Sequence, residues 1–198
     1  MTNISEINFN IEVYASEHIG LVEGFNSGAC AFNDFLKMDA LVDKMSGKGV
    51  TYIVTNNIEK LGKTVKEVVA YYTISTFAIQ IMDDYDFEDE CIPKEEKRIH
   101  YNPMSSFLIN MFAVDKNYQD TTYNGELISS LILMKIVNDL YNMSINLVGA
   151  KRIILCSVKE AVEFYQKNNF KKFDKDMTVL DKYLDDTVPM QLILHKED

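Results

Sequence analysis

The sequence predicts a single α/β domain, of the α+β kind, that spans residues 1–198. Three observations support this prediction. The chain has the length of one ordinary domain, strand-like runs rich in β-branched and aromatic residues dominate its middle, and amphipathic helical patterns lie on either side of them. Hydrophobic residues make up 47% of the chain and charged residues 25%, which is typical of a globular protein with a full core.

The N-terminal quarter is predicted to hold one strand and two helices. Residues 9–13 alternate between apolar and polar side chains, as a half-buried strand does. Ser16 is in position to cap a short helix that ends near Val22. Apolar residues at helical spacing predict a longer helix that begins near Asn33 and ends before Gly47.

The middle of the chain is predicted to be mostly strand. Residues 50–55 and 68–75 read as strands joined by a polar link, so we expect an antiparallel hairpin with an enlarged loop. The charge-rich residues 83–98 predict a solvated loop or exposed helix, and a partner-binding element is the alternative. The remaining predicted elements are strand 109–114, a polar loop to 125, helix 126–142, strand 151–156, helix 159–168, and strands 170–173 and 190–194.

Residues 109–135 give the first indication of function. An apolar strand is followed by a polar loop that ends in Asn124-Gly125, and then by a helix with Leu127, Leu131 and Met134 on one face. The start of such a helix carries unpaired backbone N–H groups and the positive end of the helix dipole. The sequence therefore predicts an anion site here, such as one for the phosphate of a cofactor.

Charge and cysteine content exclude several other classes of protein. The net charge of −10 disfavours a general nucleic-acid-binding protein. No apolar run of about 18 residues and no secretory signal is present, so we expect a cytoplasmic protein without a membrane partner. Cys30, Cys91 and Cys156 lack metal-type spacing and are expected to be reduced thiols, and no metal site is predicted. Cys156 is expected in the core, with a catalytic thiol as the alternative.

Two ordered motifs resemble the GNAT superfamily of N-acetyltransferases. Phe-Ala-Val-Asp at residues 112–115, with Tyr-Gln at 118–119, is similar to the front half of the family's strand–loop–helix motif. Phe-Tyr-Gln-Lys-Asn-Asn-Phe at residues 164–170 is similar to its Phe-Tyr-x-x-x-Gly-Phe motif. Upstream, Phe-Asn-Ser-Gly at 25–28, Leu36 and the strand 69–75 resemble the branch that includes acetyltransferase toxins of bacterial toxin–antitoxin pairs.

The resemblance implies a fold, a reaction and partners. The fold is a GNAT-like single domain, with a central mixed, mostly antiparallel sheet of six to seven strands and about four flanking helices. The reaction is direct transfer of an acetyl group from acetyl-CoA, the co-substrate, to a primary amine on a small molecule, a protein or an aminoacyl group. The toxin-like version acetylates aminoacyl-tRNA, and only that version would bind nucleic acid. A homodimer and an antitoxin are further implied partners.

The resemblance also implies roles for named residues. Tyr165 is the implied catalytic residue, because a phenol can protonate the thiolate of the departing CoA; packing of its helix on the sheet is the alternative role. Backbone groups of Phe112, Ala113 and Val114 would pair with the CoA arm. Asn169 replaces the family's glycine and tolerates a left-handed conformation. The remaining implied cofactor-binding residues lie in the loop and first helical turn: Gln119, Asp120, Thr121, Thr122, Asn124, Gly125 and Ser129.

The loop departs from the family pattern, which leaves a second function open. It is lengthened and keeps only Gly125, while Asp120 and Glu126 place negative charge near the expected diphosphate. Each charge is unfavourable by ~1 kcal/mol if exposed. The alternative is a non-catalytic GNAT-fold binding or interaction module with a degraded pyrophosphate loop. No general base can be named, because Asn110 and Asp115 flank the strand without a visible partner.

Overall fold

The computed structural model describes residues 2–3, 9–60, 62–83, 100–173 and 187–195. Its strands are β1 (Thr2–Asn3), β2 (Asn10–Val13), β3 (Val50–Lys60), β4 (Lys63–Asp83), β5 (His100–Val114), β6 (Thr121–Tyr123), β7 (Glu126–Leu127), β8 (Arg152–Val158), β9 (Lys171–Lys172) and β10 (Thr187–Ile193). Its helices are α1 (Ile19–Val22), α2 (Cys30–Asp34), α3 (Ala40–Met45), α4 (Ile128–Asn146) and α5 (Val162–Lys167). None of these helices has both the length and the apolar character needed to span a membrane.

A seven-stranded sheet forms the centre of the molecule, in the order β2-β3-β4-β5-β8-β10-β9. Within the described residues, its neighbouring strands are antiparallel except for β5 and β8, which pair in parallel. The predicted mixed, mostly antiparallel sheet with flanking helices is therefore confirmed.

Hydrophobic side chains of the sheet alternate between two clusters on its opposite faces. Tyr71 and Ala113 belong to the cluster formed with α1, α2 and α3, whereas Tyr72 and Val114 belong to the cluster formed with α4 and α5. This alternation follows from the two-residue period of a strand. Each fully buried side chain of this kind contributes about 1.5–3 kcal/mol to folding, so the two layers hold the sheet between them.

Several element boundaries differ from the sequence prediction. The N-terminal helical segment begins at Cys30 rather than near Asn33, and a π-helical turn joins α2 to α3. The polar link expected at residues 56–63 instead continues the ladder of β3 and β4 to Lys60 and Lys63. Helix α4 extends to Asn146, beyond the expected end at 142. The predicted charged segment 83–98 lies outside the described residues from 84 onward.

The largest difference lies in the loop before α4. Strands β6 and β7 form a small hairpin there, and β1 pairs with β6 in parallel. Asn124 and Gly125 occupy its two-residue turn with φ values of 52° and 86°, which is the left-handed geometry that an Asn-Gly pair adopts readily. The expectation of an irregular loop ending at a helix that starts with Glu126 was wrong, because the local preference of Asn-Gly for a hairpin prevails. Helix α4 starts at Ile128.

Candidate functional site

The paired strands β5 and β8 separate halfway along their length. Their parallel ladder joins residues 106–109 of β5 to residues 152–155 of β8 and then stops. At this point the register of β5 against β4 shifts, because Thr73 pairs with Met111 and Ile74 pairs with Ile109, which leaves Asn110 as a bulge. A bulge bends a strand and increases its twist. The bulge therefore accounts for the divergence of β5 from β8 beyond Ile109.

A cavity of about 480 Å³ occupies the gap between the diverging strands. Its walls come from β5, β8, the start of α4, helix α5 and the segment before and within α2. The lining residues are Ser27, Ala29, Phe32, Ile109, Asn110, Met111, Phe112, Ala113, Val114, Gln119, Ser129, Leu155, Cys156, Ser157, Val158, Ala161, Phe164, Tyr165 and Thr187. Backbone beyond the last rung of a parallel ladder can pair with an extended ligand, so the β5 edge from Asn110 to Val114 is suited to an amide-bearing chain.

Tyr165 lines this cavity from α5 and is 8% exposed. Its ring makes edge-to-face contacts with Phe164 and Phe170, at centroid distances of 5.1 Å and 5.7 Å. These contacts fix the ring on one side. Burial raises the pKa of the Tyr165 hydroxyl above its ordinary value, so at neutral pH the group carries its proton. A protonated phenol held rigidly at the wall of a cavity can act as a general acid.

The turn after α5 explains how Tyr165 is held. Asn169 adopts a φ of 67°, and the amides of Asn168 and Phe170 donate to the carbonyl of Tyr165 at 3.0 Å each. Asparagine tolerates this left-handed conformation better than most residues. The chain then turns back into β9, and Phe170 packs beside Tyr165 in the core.

The described wall of the cavity carries no lysine, arginine, histidine, aspartate or glutamate side chain. Its titratable groups are Tyr165 and the thiol of Cys156. Burial raises the pKa of the Cys156 thiol, although a hydrogen bond with Thr187 opposes this change. The thiol is therefore protonated at neutral pH and a poor nucleophile. Cys156 was expected in the core and is instead half-buried at the cavity wall.

Eleven residues were predicted from the sequence to bind the cofactor or to act in catalysis. Six of them line the cavity: Phe112, Ala113, Val114, Gln119, Ser129 and Tyr165. The other five lie outside its wall. Asp120 is the last residue of the turn after β5, the Thr121 hydroxyl donates to the carbonyl of Asn117 at 3.1 Å, and Thr122, Asn124 and Gly125 belong to the β6–β7 hairpin. The residues that were expected to form a phosphate-binding loop thus form the β6–β7 hairpin instead.

The start of α4 remains available for an anion. Its N-cap residue, Leu127, supplies no side-chain cap for the first amides, and no acidic residue lies in the first turn. Ser129 of this turn reaches the cavity wall. Ile128 is fully buried in the core, and neither Ile128 nor Tyr123 lines the cavity. The entrance beside α4 is therefore not filled by either side chain.

A hydrogen-bonded contact joins residues 26–28 to residues 114–119, and we call it the loop junction. The buried carboxylate of Asp115 accepts from the backbone N–H groups of Asn26 and Asn117, at 2.9 Å each. The Lys116 amide donates to the Asn26 carbonyl at 2.9 Å. The Gln119 Nε2 donates to the carbonyls of Ser27 at 2.8 Å and Val114 at 3.0 Å.

The loop junction was not predicted from the sequence. No general base was named from the sequence, and Asp115 was noted only as flanking the strand; its carboxylate is bonded to two amides and does not line the wall. Its partner Asn26 is distant along the chain, and no local pattern connects the two. The wall residues Ser27, Ala29 and Phe32 were missed for the same reason, although the motif at 25–28 had indicated the branch of the family.

The described histidines lie away from the cavity. His195 contacts the hydroxyl of Ser144 at 2.8 Å, and that hydroxyl donates to the carbonyl of Tyr141, so it is not an activated nucleophile. His18 contacts Glu12 at 3.0 Å. In the described part of the chain, no group of three or more potential ligands could hold a metal ion.

Comparison with solved structures shows which known fold this is. A Tyr-to-Phe mutant of the AtaT toxin shares 14% identity with this chain, and the match has a TM-score of 0.66. The matched region covers 94% of this chain and 89% of the AtaT chain. A Tyr-to-Phe mutant of KacT shares 18% identity, with 94% and 95% coverage and a TM-score of 0.65. AtaTR bound with acetyl-CoA shares 17% identity, with 94% coverage of both chains and a TM-score of 0.65.

No family model and no curated protein matches the sequence. The similarity to solved structures covers nearly the whole chain, and it confirms the predicted GNAT-like fold and its likeness to the toxin branch at the level of structure. At identities below 20%, activity and ligands do not follow from the fold alone.

Proposed function

We propose that this protein is an acetyl-CoA-dependent N-acetyltransferase that transfers an acetyl group directly to a primary amine. The observation that carries the proposal is the cavity between β5 and β8, with Tyr165 in its wall and the uncapped start of α4 beside it. AtaTR, which has the same fold, is known with acetyl-CoA bound. The cofactor brings a thioester to the cavity. The residues of this chain bind the cofactor and donate one proton to the departing thiolate.

The cofactor contacts follow from the shape of the site. The amide-bearing arm pairs with the β5 edge at Asn110 to Val114, where β8 has diverged. The diphosphate lies against the first-turn amides of α4, next to Ser129. This arrangement moves the diphosphate contacts from the predicted residues Asp120 to Gly125 toward the helix start. The thioester then lies near Tyr165.

Tyr165 supplies the proton that CoA needs when it leaves. The uncharged amine attacks the thioester carbonyl to form a C–N bond, and the C–S bond breaks as the tetrahedral intermediate collapses. The departing sulfur takes the proton of the Tyr165 hydroxyl, and the proton that the nitrogen loses as the amide forms returns to the phenolate through water. Burial raises the pKa of the phenol, and the same burial raises that of a thiolate in the cavity. Because the nitrogen releases one proton for each proton that Tyr165 donates, the completed transfer leaves neither a thiolate nor a phenolate in this apolar wall. Such general acid catalysis contributes about 10²–10⁴-fold to the rate.

The neutral wall of the cavity favours an amine that needs no strong base. At pH 7.5 about one third of a typical α-amino group is uncharged, compared with about 0.1% of a lysine side chain. Because the described wall holds no carboxylate and no imidazole, we infer an α-amine as acceptor. An aminoacyl group esterified to tRNA is such an amine, and one similar structure is AtaT complexed with acetyl-methionyl-tRNAfMet, with a TM-score of 0.60 and 17% identity.

A toxin role and an antitoxin partner belong to the same proposal. AtaT is known in complex with acetyl-CoA and the C-terminus of the antitoxin AtaR, and KacTA is known in complex with DNA. For a chain with net charge −10, contact with tRNA requires a local surface that overcomes the general repulsion. Despite this repulsion we favour an aminoacyl-tRNA as the substrate, because its amino acid carries the α-amine inferred above.

The test is acetyl transfer with a defined acceptor. The full chain is incubated with acetyl-CoA and a pool of aminoacyl-tRNAs, and the aminoacyl groups are released and identified by mass spectrometry. We expect N-acetylated amino acids with the wild type and far fewer with Tyr165→Phe. Deacylated tRNA is the matched control. If no amino acid is acetylated and calorimetry detects no acetyl-CoA binding, the non-catalytic module replaces this proposal.

A further inference from the structure

Two walls of the cavity, apart from the one that β8 forms, come from distant parts of the chain. One wall is made by β5, α4 and α5, which carry the residues proposed to contact acetyl-CoA. The other is made by Ser27, Ala29 and Phe32, which precede and enter α2. The cofactor is placed on the first of these walls and the acceptor on the second, which faces the β5 strand, and this assignment rests on the proposed function.

Two attachments hold the second wall in place. On its far side, the Tyr71 hydroxyl donates to the carbonyl of Phe32 at 2.7 Å, from within the core. On its near side, the loop junction joins Ser27 to the end of β5 through the side-chain amide of Gln119. Tyr71 is fully buried, whereas Gln119 lies at the surface. The wall is thus attached at one end to the core, and at the other to the end of β5 by Gln119 and by the hydrogen bonds of Asn26 with Asp115 and Lys116.

The Gln119 side chain uses its donors within the protein. Its Nε2 carries two hydrogens, and these go to the carbonyl of Ser27 and the carbonyl of Val114. Both carbonyls belong to residues that line the cavity, one on each wall. The amide group therefore has no hydrogen left for a phosphate. It spans the gap between the walls instead.

We propose that Gln119 is a positioning residue that sets the spacing between the acceptor wall and the cofactor strand. Its side chain does not bind acetyl-CoA. The cofactor-binding role that the sequence implied for Gln119 is then left to its backbone groups alone. Loss of the two hydrogen bonds removes the direct link between Ser27 and β5 and leaves the bonds of Asn26 with Asp115 and Lys116, so Ser27 and Ala29 can move away from β5. The acceptor then binds a wider, less ordered site, while the arm of acetyl-CoA still pairs with the edge of β5.

Two substitutions separate this role from cofactor binding. Gln119→Ala removes both donors, and Gln119→Glu keeps the size of the side chain but places a carboxylate against two carbonyl oxygens. Because Gln119 is exposed, neither change removes core packing, and the fold is expected to persist. Gln119→Arg is the matched rescue variant, since a guanidinium supplies several N–H donors at a similar reach.

The assay measures acetyl transfer to methionyl-tRNA together with acetyl-CoA binding by calorimetry. For Gln119→Ala and Gln119→Glu we expect the KM for methionyl-tRNA to rise about fivefold or more, the effect of losing one to two ordinary hydrogen bonds. The Kd for acetyl-CoA should stay within about twofold of the wild type, because the arm and diphosphate contacts are unchanged. Gln119→Arg should restore most of the KM.

Hydrogen exchange adds a readout that does not require a reaction. In the wild type the amides of Asn26 and Lys116 are protected by the loop junction. They should exchange faster in Gln119→Ala, whereas the amides of α4 should be unchanged.

A wild type that transfers acetyl to methionyl-tRNA, with an unaltered KM in both variants, would overturn this inference alone. So would a rise in the acetyl-CoA Kd that parallels the loss of activity. If the wild type acetylates no aminoacyl-tRNA of the pool and does not bind acetyl-CoA, the proposed function and this inference are overturned together.

Discussion

Replacing Tyr165 by phenylalanine separates chemistry from folding. The substitution keeps the ring, and therefore keeps its edge-to-face contacts with Phe164 and Phe170 at 5.1 Å and 5.7 Å. It removes only the hydroxyl, and no hydrogen bond between that hydroxyl and another described residue is lost. The free energy of unfolding should therefore change by less than about 1 kcal/mol.

The effect on the reaction should be far larger. If the hydroxyl protonates the leaving thiolate, its removal should lower kcat by about 10²–10⁴-fold, which corresponds to about 3–5 kcal/mol in activation free energy. The Kd for acetyl-CoA should change by less than about threefold, because the arm and diphosphate contacts come from β5 and α4. The loss should thus appear in kcat and hardly in cofactor binding.

The assay follows N-acetyl-methionine released from methionyl-tRNA at saturating acetyl-CoA. Tyr72→Phe is the matched control: Tyr72 is buried in the same core cluster and stacks on Tyr52 at 5.1 Å, but it does not line the cavity. It should retain kcat within about twofold. A fall of less than fivefold in Tyr165→Phe, or an equal fall in Tyr72→Phe, would show that the phenol is a packing residue and not the acid.

Four further predictions follow from the same geometry. Because burial raises the pKa of Tyr165, the rate should rise with pH to a plateau near the amine pKa of about 8 and stay level to about pH 10; a fall between pH 8 and 9 would contradict this. Acetyl-CoA should slow alkylation of Cys156 by N-ethylmaleimide at least fivefold and leave the exposed Cys30 unaffected; equal protection of both thiols would place the cofactor elsewhere. At pH 7.5, kcat/KM for methioninamide should exceed that for the side-chain amine of an α-blocked lysine by about 100-fold; a preference for lysine would require a base that the cavity wall lacks. Burial and a hydrogen bond with Glu67 raise the pKa of Tyr118 to about 12, so its contribution to stability is complete below about pH 10 and should be lost as pH rises toward 12; urea unfolding should show that loss in the wild type, and a Tyr118→Phe variant with the same loss would rule out Tyr118 as its source.

Most of the fold could be predicted from the sequence because the apolar residues of its strands and helices recur at short, regular intervals. The strand runs at 50–55 and 68–75 and the apolar face of α4 follow the two- and 3.6-residue periods that burial imposes. Boundaries were less certain where the chain could continue a ladder at little cost. The polar residues 56–63 show this, because cross-strand pairing extends β3 and β4 through side chains that carry no apolar signal.

The site was only partly predictable for a different physical reason. Tyr165 and the β5 edge belong to short motifs, whose order along the chain indicated a shared cavity. The loop junction depends on a hydrogen bond between Asp115 and Asn26, which lie 89 residues apart, and no periodicity records such a contact. The β6–β7 hairpin was missed because Asn124-Gly125 predicts a turn in either a loop or a hairpin, and the flanking residues are too few to decide.

A crystal structure of the wild type soaked with acetyl-CoA would show directly whether the cavity holds the cofactor. We expect the arm of the cofactor along β5 between Asn110 and Val114, the diphosphate at the first turn of α4 beside Ser129, and the thioester sulfur within hydrogen-bonding reach of the Tyr165 hydroxyl. An empty cavity at millimolar acetyl-CoA, or a cofactor bound with its sulfur remote from Tyr165, would contradict it.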